Sequence, residues 1–206
     1  MMKSDTFRKF VLSAGAVLAF FAMPSSASLI LNPASQTVAV GNTASVDIDI
    51  TGLGNGVSPA LAAFSGLVIN YDNTLLAPIS VTFSNRLGDP TDPSQTLLLA
   101  NLFLPSAVEL DGVSFLSAAQ LFAAQSNATN QFTIATINFQ AIANGTSPLD
   151  LSYGALSDEN ANPLTETVVN GSITVSGSPE PASLVLVGIG LVGLGFAPLR
   201  RSLRRE

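Results

Sequence analysis

The sequence contains no cysteine, no histidine and no tryptophan, and only two tyrosines. Without cysteine the chain forms no disulfide, offers no thiol nucleophile and builds no thiolate metal site. Without histidine it lacks the commonest general base and the commonest transition-metal ligand. No constellation of carboxylates makes up for these losses, so catalysis is not expected and no catalytic residue is assigned. Cations are scarce too. Of eight Lys and Arg, Lys3, Arg8 and Lys9 lie at the start and Arg200, Arg201, Arg204 and Arg205 at the end, which leaves only Arg86 between. Eleven acidic residues, from Asp47 to Glu166, share that middle region with it. So acidic a stretch repels phosphate backbones, which excludes nucleic acid as a partner.

What is abundant is apolar sequence. The mean hydropathy is +0.45, and much of the excess sits in two blocks, 10–22 and 184–199. Residues 1–27 read as a secretory signal peptide. Lys3, Arg8 and Lys9 form its positive start, 10–23 its apolar stretch, and Pro24 ends the helix. Ser25-Ser26-Ala27 then supplies the small residues that a signal peptidase needs, so cleavage is expected between Ala27 and Ser28. At the other end, Pro179-Glu180-Pro181 is stiff and non-helical, because proline fixes its own φ and disfavours helix before it. Residues 182–199 carry no charge and span about 27 Å as a helix, enough for a transmembrane segment. Arg200, Arg201, Arg204 and Arg205 form a basic membrane stop, which by the positive-inside rule leaves everything before the helix outside the cytoplasm. Gly188, Gly190 and Gly193 fit a dinucleotide-binding spacing. They lack the preceding strand and the later acidic residue, and read as small residues of a membrane helix.

The order Pro-Glu-Pro, helix, arginine cluster over 179–206 resembles the PEP-CTERM sorting signal of Gram-negative bacteria. The resemblance implies processing near Pro179, Glu180 and Pro181 by an exosortase. It also implies an inner-membrane intermediate held by the C-terminal helix, then delivery to the cell surface or an exopolysaccharide matrix.

Between the two ends, residues 28–178 alternate at period two, with turn residues between the runs. In Val46-Asp47-Ile48-Asp49-Ile50 the apolar residues point inward and the aspartates outward. Strands are predicted at 36–40, 45–50, 62–71, 79–84, 95–104, 132–143, 149–153 and 168–175, the last with Val169, Gly171, Ile173 and Val175 on one face. One helix is predicted at 114–125, with Ser114 as its N-cap and Phe115, Leu116, Ala119 and Phe122 along one side. Around Phe132 to Ala141 the alternation changes phase, as a bulge or a strand buried on both faces would require, and the reading taken is a central strand. Short strands at this spacing indicate an all-β sandwich or jelly roll.

The segments Val38-Ala39-Val40-Gly41-Asn42, Ile69-Asn70-Tyr71-Asp72-Asn73-Thr74-Leu75-Leu76, Phe132 to Phe139 and Val169 to Val175, taken in order, resemble the cohesin domains. These are nine-stranded jelly rolls that bind dockerin modules. The stretch Arg86-Leu87-Gly88-Asp89 and the inserted helix are similar to the cohesin-like domains found ahead of PEP-type tails, and depart from the cellulosomal pattern. The resemblance implies a non-catalytic adhesion or scaffold module with a dockerin-like protein partner. The alternative is a carbohydrate-binding module for matrix exopolysaccharide, although such modules present an aromatic platform. The ligand-binding residues are not legible.

Two acidic segments are weighed as ion sites. Asp158-Glu159-Asn160-Ala161-Asn162 opens like a calcium loop, but Pro163 and Val169 stand where that loop needs glycine and glutamate, so a turn is expected. Asp89-Pro90-Thr91-Asp92-Pro93 brings two carboxylates together and reads as a rigid surface loop. No metal or other cofactor is expected. The Asn-Gly pairs at Asn144 and Asn170 and the sequon at Asn127 read as turn signals.

Overall fold

The structure, a computed structural model, describes residues 26–127 and 129–177. The sequence-predicted sorting motif, transmembrane segment 182–199, arginine stop and nearly all of the signal peptide lie outside the described residues. Among the described residues, no helix is long and apolar enough to cross a membrane.

Twelve strands and one helix follow in order. They are β1 (Ser26–Asn32), β2 (Ser35–Ala39), β3 (Thr43–Thr51), β4 (Leu61–Asn70), β5 (Leu76–Phe83), β6 (Thr96–Leu104), β7 (Ala107–Ser114), α1 (Ala118–Gln125), β8 (Gln131–Ala141), β9 (Gly145–Ser152), β10 (Ala155–Asp158), β11 (Thr165–Val169) and β12 (Gly171–Ser176). They form two sheets. One has the order β11-β1-β3-β8-β5; the other runs β2-β12-β9-β4-β7-β6, with β10 added beside β4. The inner faces meet in one core. Val46, Ile48 and Ile50 of β3 face Leu67 and Ile69 of β4, all of them buried. Just past β4, Tyr71 sets its ring against Phe139 of β8 at 5.2 Å between centroids and so ties the two sheets together.

Both chain ends of the domain change sheet in the same place. β1 pairs with β11 in one sheet and β2 with β12 in the other, both parallel. The single strand predicted over 168–175 is therefore two, divided at Asn170. Asn170 accepts a hydrogen bond from Leu151 N and donates one to Asp150, which ends the first strand. Gly171 then passes so close to Ala34 O that an added Cβ would sit 3.0 Å from it. Val169 consequently lies on the outside, 44% exposed, rather than sharing a face with Ile173 and Val175.

Three further differences from the sequence reading have physical causes. β1, β7 and β10 are not among the eight predicted segments; with the division at Asn170 they bring the strands of the described residues to twelve, where the resemblance implies about nine. The helix starts at Ala118, not Ser114, because the sheet holds the preceding residues: Ser114 pairs with Thr96 and Phe115 N donates to Gln95 O. Ser117 is the N-cap, and its N–H and hydroxyl both donate to Gln120. The helix buries Leu121 and Gln125 and leaves Phe115 and Ala119 outside. Finally, Asp49 does not face solvent. It is 3% exposed and accepts hydrogen bonds from Asn32, Gln131 and Thr133 at 3.1, 2.8 and 2.6 Å. The phase change in β8 is a bulge within an interior strand: Ile48 pairs with Ala135 but Asp49 with Thr133, so Ile134 is extra.

Candidate protein-docking face

The two outer faces of the sandwich differ in chemistry. That of the five-stranded sheet is largely polar and bonded to itself, with Ile79 and Val169 exposed only on its two edge strands, β5 and β11. Ser28 and Thr167 share a hydrogen bond, Thr136 donates to Asp47, Ser45 to Asn138, and Asn138 to Ser80. Side chains that satisfy one another laterally have little capacity left for a partner.

The outer face of the seven-stranded sheet is different at its β6 end. Pairing registers place Leu97, Val113, Ala63 and Ser157 in one row across four strands. Leu99, Asp111, Ser65 and Ala155 form the next row. The rows line a shallow groove of about 280 Å³. Leu97 and Leu99 are 48% and 55% exposed on its flank. A bulge in β4 shapes its floor: Ser65 and Gly66 together oppose Asp111, Gly66 adopts a φ of +56° that favours glycine, and its N–H donates to the Asp111 carboxylate at 2.9 Å. Farther along β6, a second irregularity turns Phe103 out until it is 97% exposed. An apolar groove with Leu97 and Leu99 on its flank and the single Asp111 carboxylate in its lining is a candidate surface for protein docking, since apolar area left in water is recovered when a complementary face covers it.

The other candidate residues are occupied by local structure. Asp89 accepts from the Thr91 N–H and hydroxyl, and these hold its carboxyl below the usual range. Asp92 is lowered likewise by the Ser94 hydroxyl and N–H and by Gln95. Both carboxylates are thus turned onto their own loop. Asp158 anchors a turn. Burial raises its pKa, but the Asn162 side chain and N–H and the Asn160 N–H outweigh burial and lower it on balance. Among the described residues no group of three or more acidic side chains could hold a metal ion. Asn144 precedes the turn glycine Gly145, and Asn127 accepts from the Thr129 and Gln131 N–H groups, as turn residues do. Tyr71 is 7% exposed and Tyr153 is half-buried, so neither ring offers an open stacking platform. Ala27 lies in β1 beside Glu166, and the Ala27–Ser28 bond falls inside that strand.

Among the described residues, Arg86, the one cation of the middle region, meets no carboxylate. It donates to Ala124 O at the C-terminal end of α1 and lies over the Phe132 ring at 6.0 Å. Gln125 completes this attachment. Its amide accepts from Leu61 N at 2.8 Å and donates to Leu61 O at 2.6 Å and Arg86 O at 3.2 Å. The inserted helix is thereby fastened to the start of β4. The sequence singled out the helix but not this buried amide, which stands at an apolar position of the helical pattern.

The fold and this face define a β-sandwich binding module. The Cohesin domain family matches residues 31–175, and the chain belongs to it. Solved structures agree in fold. A cohesin of Clostridium acetobutylicum in solution is 20% identical, with a TM-score of 0.58 over 76% of this chain and 94% of its own. A type I cohesin–dockerin complex of Clostridium thermocellum is 16% identical, with a TM-score of 0.57 over 73% of this chain and 99% of its own. A non-cellulosomal cohesin of the archaeon Archaeoglobus fulgidus is 13% identical, with a TM-score of 0.52 over 78% of this chain and 97% of its own. No curated protein sequence matches the chain.

Proposed function

We propose that this chain is an exported, non-catalytic surface or matrix protein whose cohesin domain docks a dockerin-like protein module on the groove between β6 and β10. The observation that carries the reading is the contrast between faces: one is bonded to itself, with Ile79 and Val169 exposed on opposite edge strands, while the other gathers Leu97 and Leu99 beside Ala63, Val113 and Ala155 in one groove. Several cohesins of the same fold were solved with dockerins bound, which supports a protein partner over a sugar. The targeting segments set where this happens. Cleavage after Ala27 releases the domain outside, and an exosortase acting at Pro179-Glu180-Pro181 passes it from the inner membrane to the surface or matrix.

The test uses the exported chain as bait against the envelope and matrix of its own organism, followed by calorimetry with the purified partner at low and high salt. Leu97→Asp with Leu99→Asp weakens that binding about hundredfold, because it places carboxylates where apolar contacts are made. Part of the wild-type affinity survives high salt, since apolar contact is not screened. Undiminished binding by the double variant refutes the groove. Tight, salt-insensitive binding to a neutral polysaccharide, with no protein retained, replaces this reading with the carbohydrate-binding one.

A further inference from the structure

Glu166 is out of place in this fold. In β11 the side chains alternate, so Glu166 and Val168 point inward, paired with Ala27 and Leu29 of β1. Both Glu166 carboxylate oxygens are buried and neither has a hydrogen-bond partner. Burial pushes its pKa up to about 7; the Tyr153 hydroxyl opposes the shift without making a regular hydrogen bond. Among the described residues no other ionisable group faces it. β1 has no ionisable side chain, Asp150 of β9 is turned outward to Asn170, and Asp158 of β10 is held by Asn160 and Asn162. Arg86 is engaged with Ala124 and Phe132. Such a buried carboxyl stays protonated unless a positive charge reaches it and stabilises the anion.

One positive charge is missing from the uncut chain. We propose that the α-ammonium group created at Ser28 by signal-peptide cleavage is the ion-pair partner of Glu166, so that processing supplies the counter-ion at the new start of β1. Hydrolysis of the Ala27–Ser28 bond adds one water: Ala27 leaves with the new carboxylate, and Ser28 keeps the amine, which takes up a proton. The amine arises at the residue directly after Ala27, the lateral neighbour of Glu166. Adjacent strands lie about 4.8 Å apart, a gap that a glutamate side chain spans. Loss of Ala27, which is fully buried, also frees the space between them. The pairing rests on the cleavage reading, but its chemistry is separable from it.

The two forms differ in their response to pH. In the uncut chain the folded state holds the Glu166 proton more tightly than the unfolded state does, so stability falls as pH rises from 4.5 toward about 7. In the cut chain the carboxylate is stabilised as the anion and the amine as the cation. The pair's contribution is then fully present between the ordinary carboxylate value of 4.5 and the ordinary α-amino pKa of about 7.7; it is lost as pH rises through the raised amine value and as pH falls through the lowered carboxylate value.

The sequence makes the measurement clean. The only lysines are Lys3 and Lys9, so a chain cut before Ser28 has a single primary amine. The pH dependence of its acylation reads that amine directly. For the folded exported protein the amine's proton affinity is raised about tenfold or more over an ordinary α-amine, and Glu166→Gln abolishes the shift. Acetylating the amine lowers the melting temperature at pH 7 in the wild type but not in Glu166→Gln. An ordinary amine titration in both proteins overturns the pairing. Mass spectrometry of the exported chain decides cleavage separately. If it begins elsewhere than Ser28, the processing reading falls. The same titration on chain cut immediately before Ser28 by a site-specific protease then decides the pairing alone.

Discussion

Replacing Gln125 tests whether the inserted helix is fastened by hydrogen bonds or only by packing. The side chain is 4% exposed and serves Leu61 N, Leu61 O and Arg86 O. In Gln125→Leu the volume is nearly kept while all three backbone groups lose their partner. Each buried group left unpaired costs about 1–3 kcal/mol, and at the low end the three together come to about 3 kcal/mol. For a domain of this size that lowers the melting temperature by about 6–12 °C. Gln125→Glu is the sharper control. It keeps an acceptor for Leu61 N but sets a carboxylate oxygen against two carbonyls, so it loses at least as much at neutral pH. The assay is thermal and urea unfolding of the exported chain followed by circular dichroism. A Leu variant within about 0.5 kcal/mol of wild type, or a Glu variant of undiminished stability, refutes the argument and leaves Leu121 packing as the attachment.

Two other substitutions bear on different parts of the chain. Asp49→Ala deprives Asn32, Gln131 and Thr133 of their common acceptor and costs about 2–4 kcal/mol in urea unfolding, while Asp49→Asn recovers part of it; equal stability of all three proteins refutes a structural role for the carboxylate. Replacing Pro179, Glu180 and Pro181 by alanines keeps the domain in the inner-membrane fraction, since the apolar segment and arginines remain; release into the medium at the wild-type level refutes exosortase sorting.

Some of this protein was readable from residue order alone. Val46, Ile48 and Ile50 had to face a core, since period-two alternation over five residues has one low-energy arrangement on a pleated strand. The turn at Asp158 to Asn162 followed from local backbone chemistry, and the structure has it. β7 alternates Val108, Leu110 and Gly112 inward against Glu109 and Asp111 outward, so its strand signal is present in the sequence, directly ahead of the helical pattern that follows.

Tertiary structure decided the rest, because it depends on which strands lie side by side. The division of residues 165–176 between two sheets is forced by Ala34 and Leu151, partners distant in sequence. Asp49 looks solvent-facing within its own strand and becomes buried only when Asn32 and Gln131 are brought over it from β1 and β8. The docking groove draws on β4, β6, β7 and β10, whose mutual register is set by pairing energies that no single strand carries. Sequence determined the alternation, the turns and the charge; the sheets determined which alternating faces meet, and so which apolar residues stay in water.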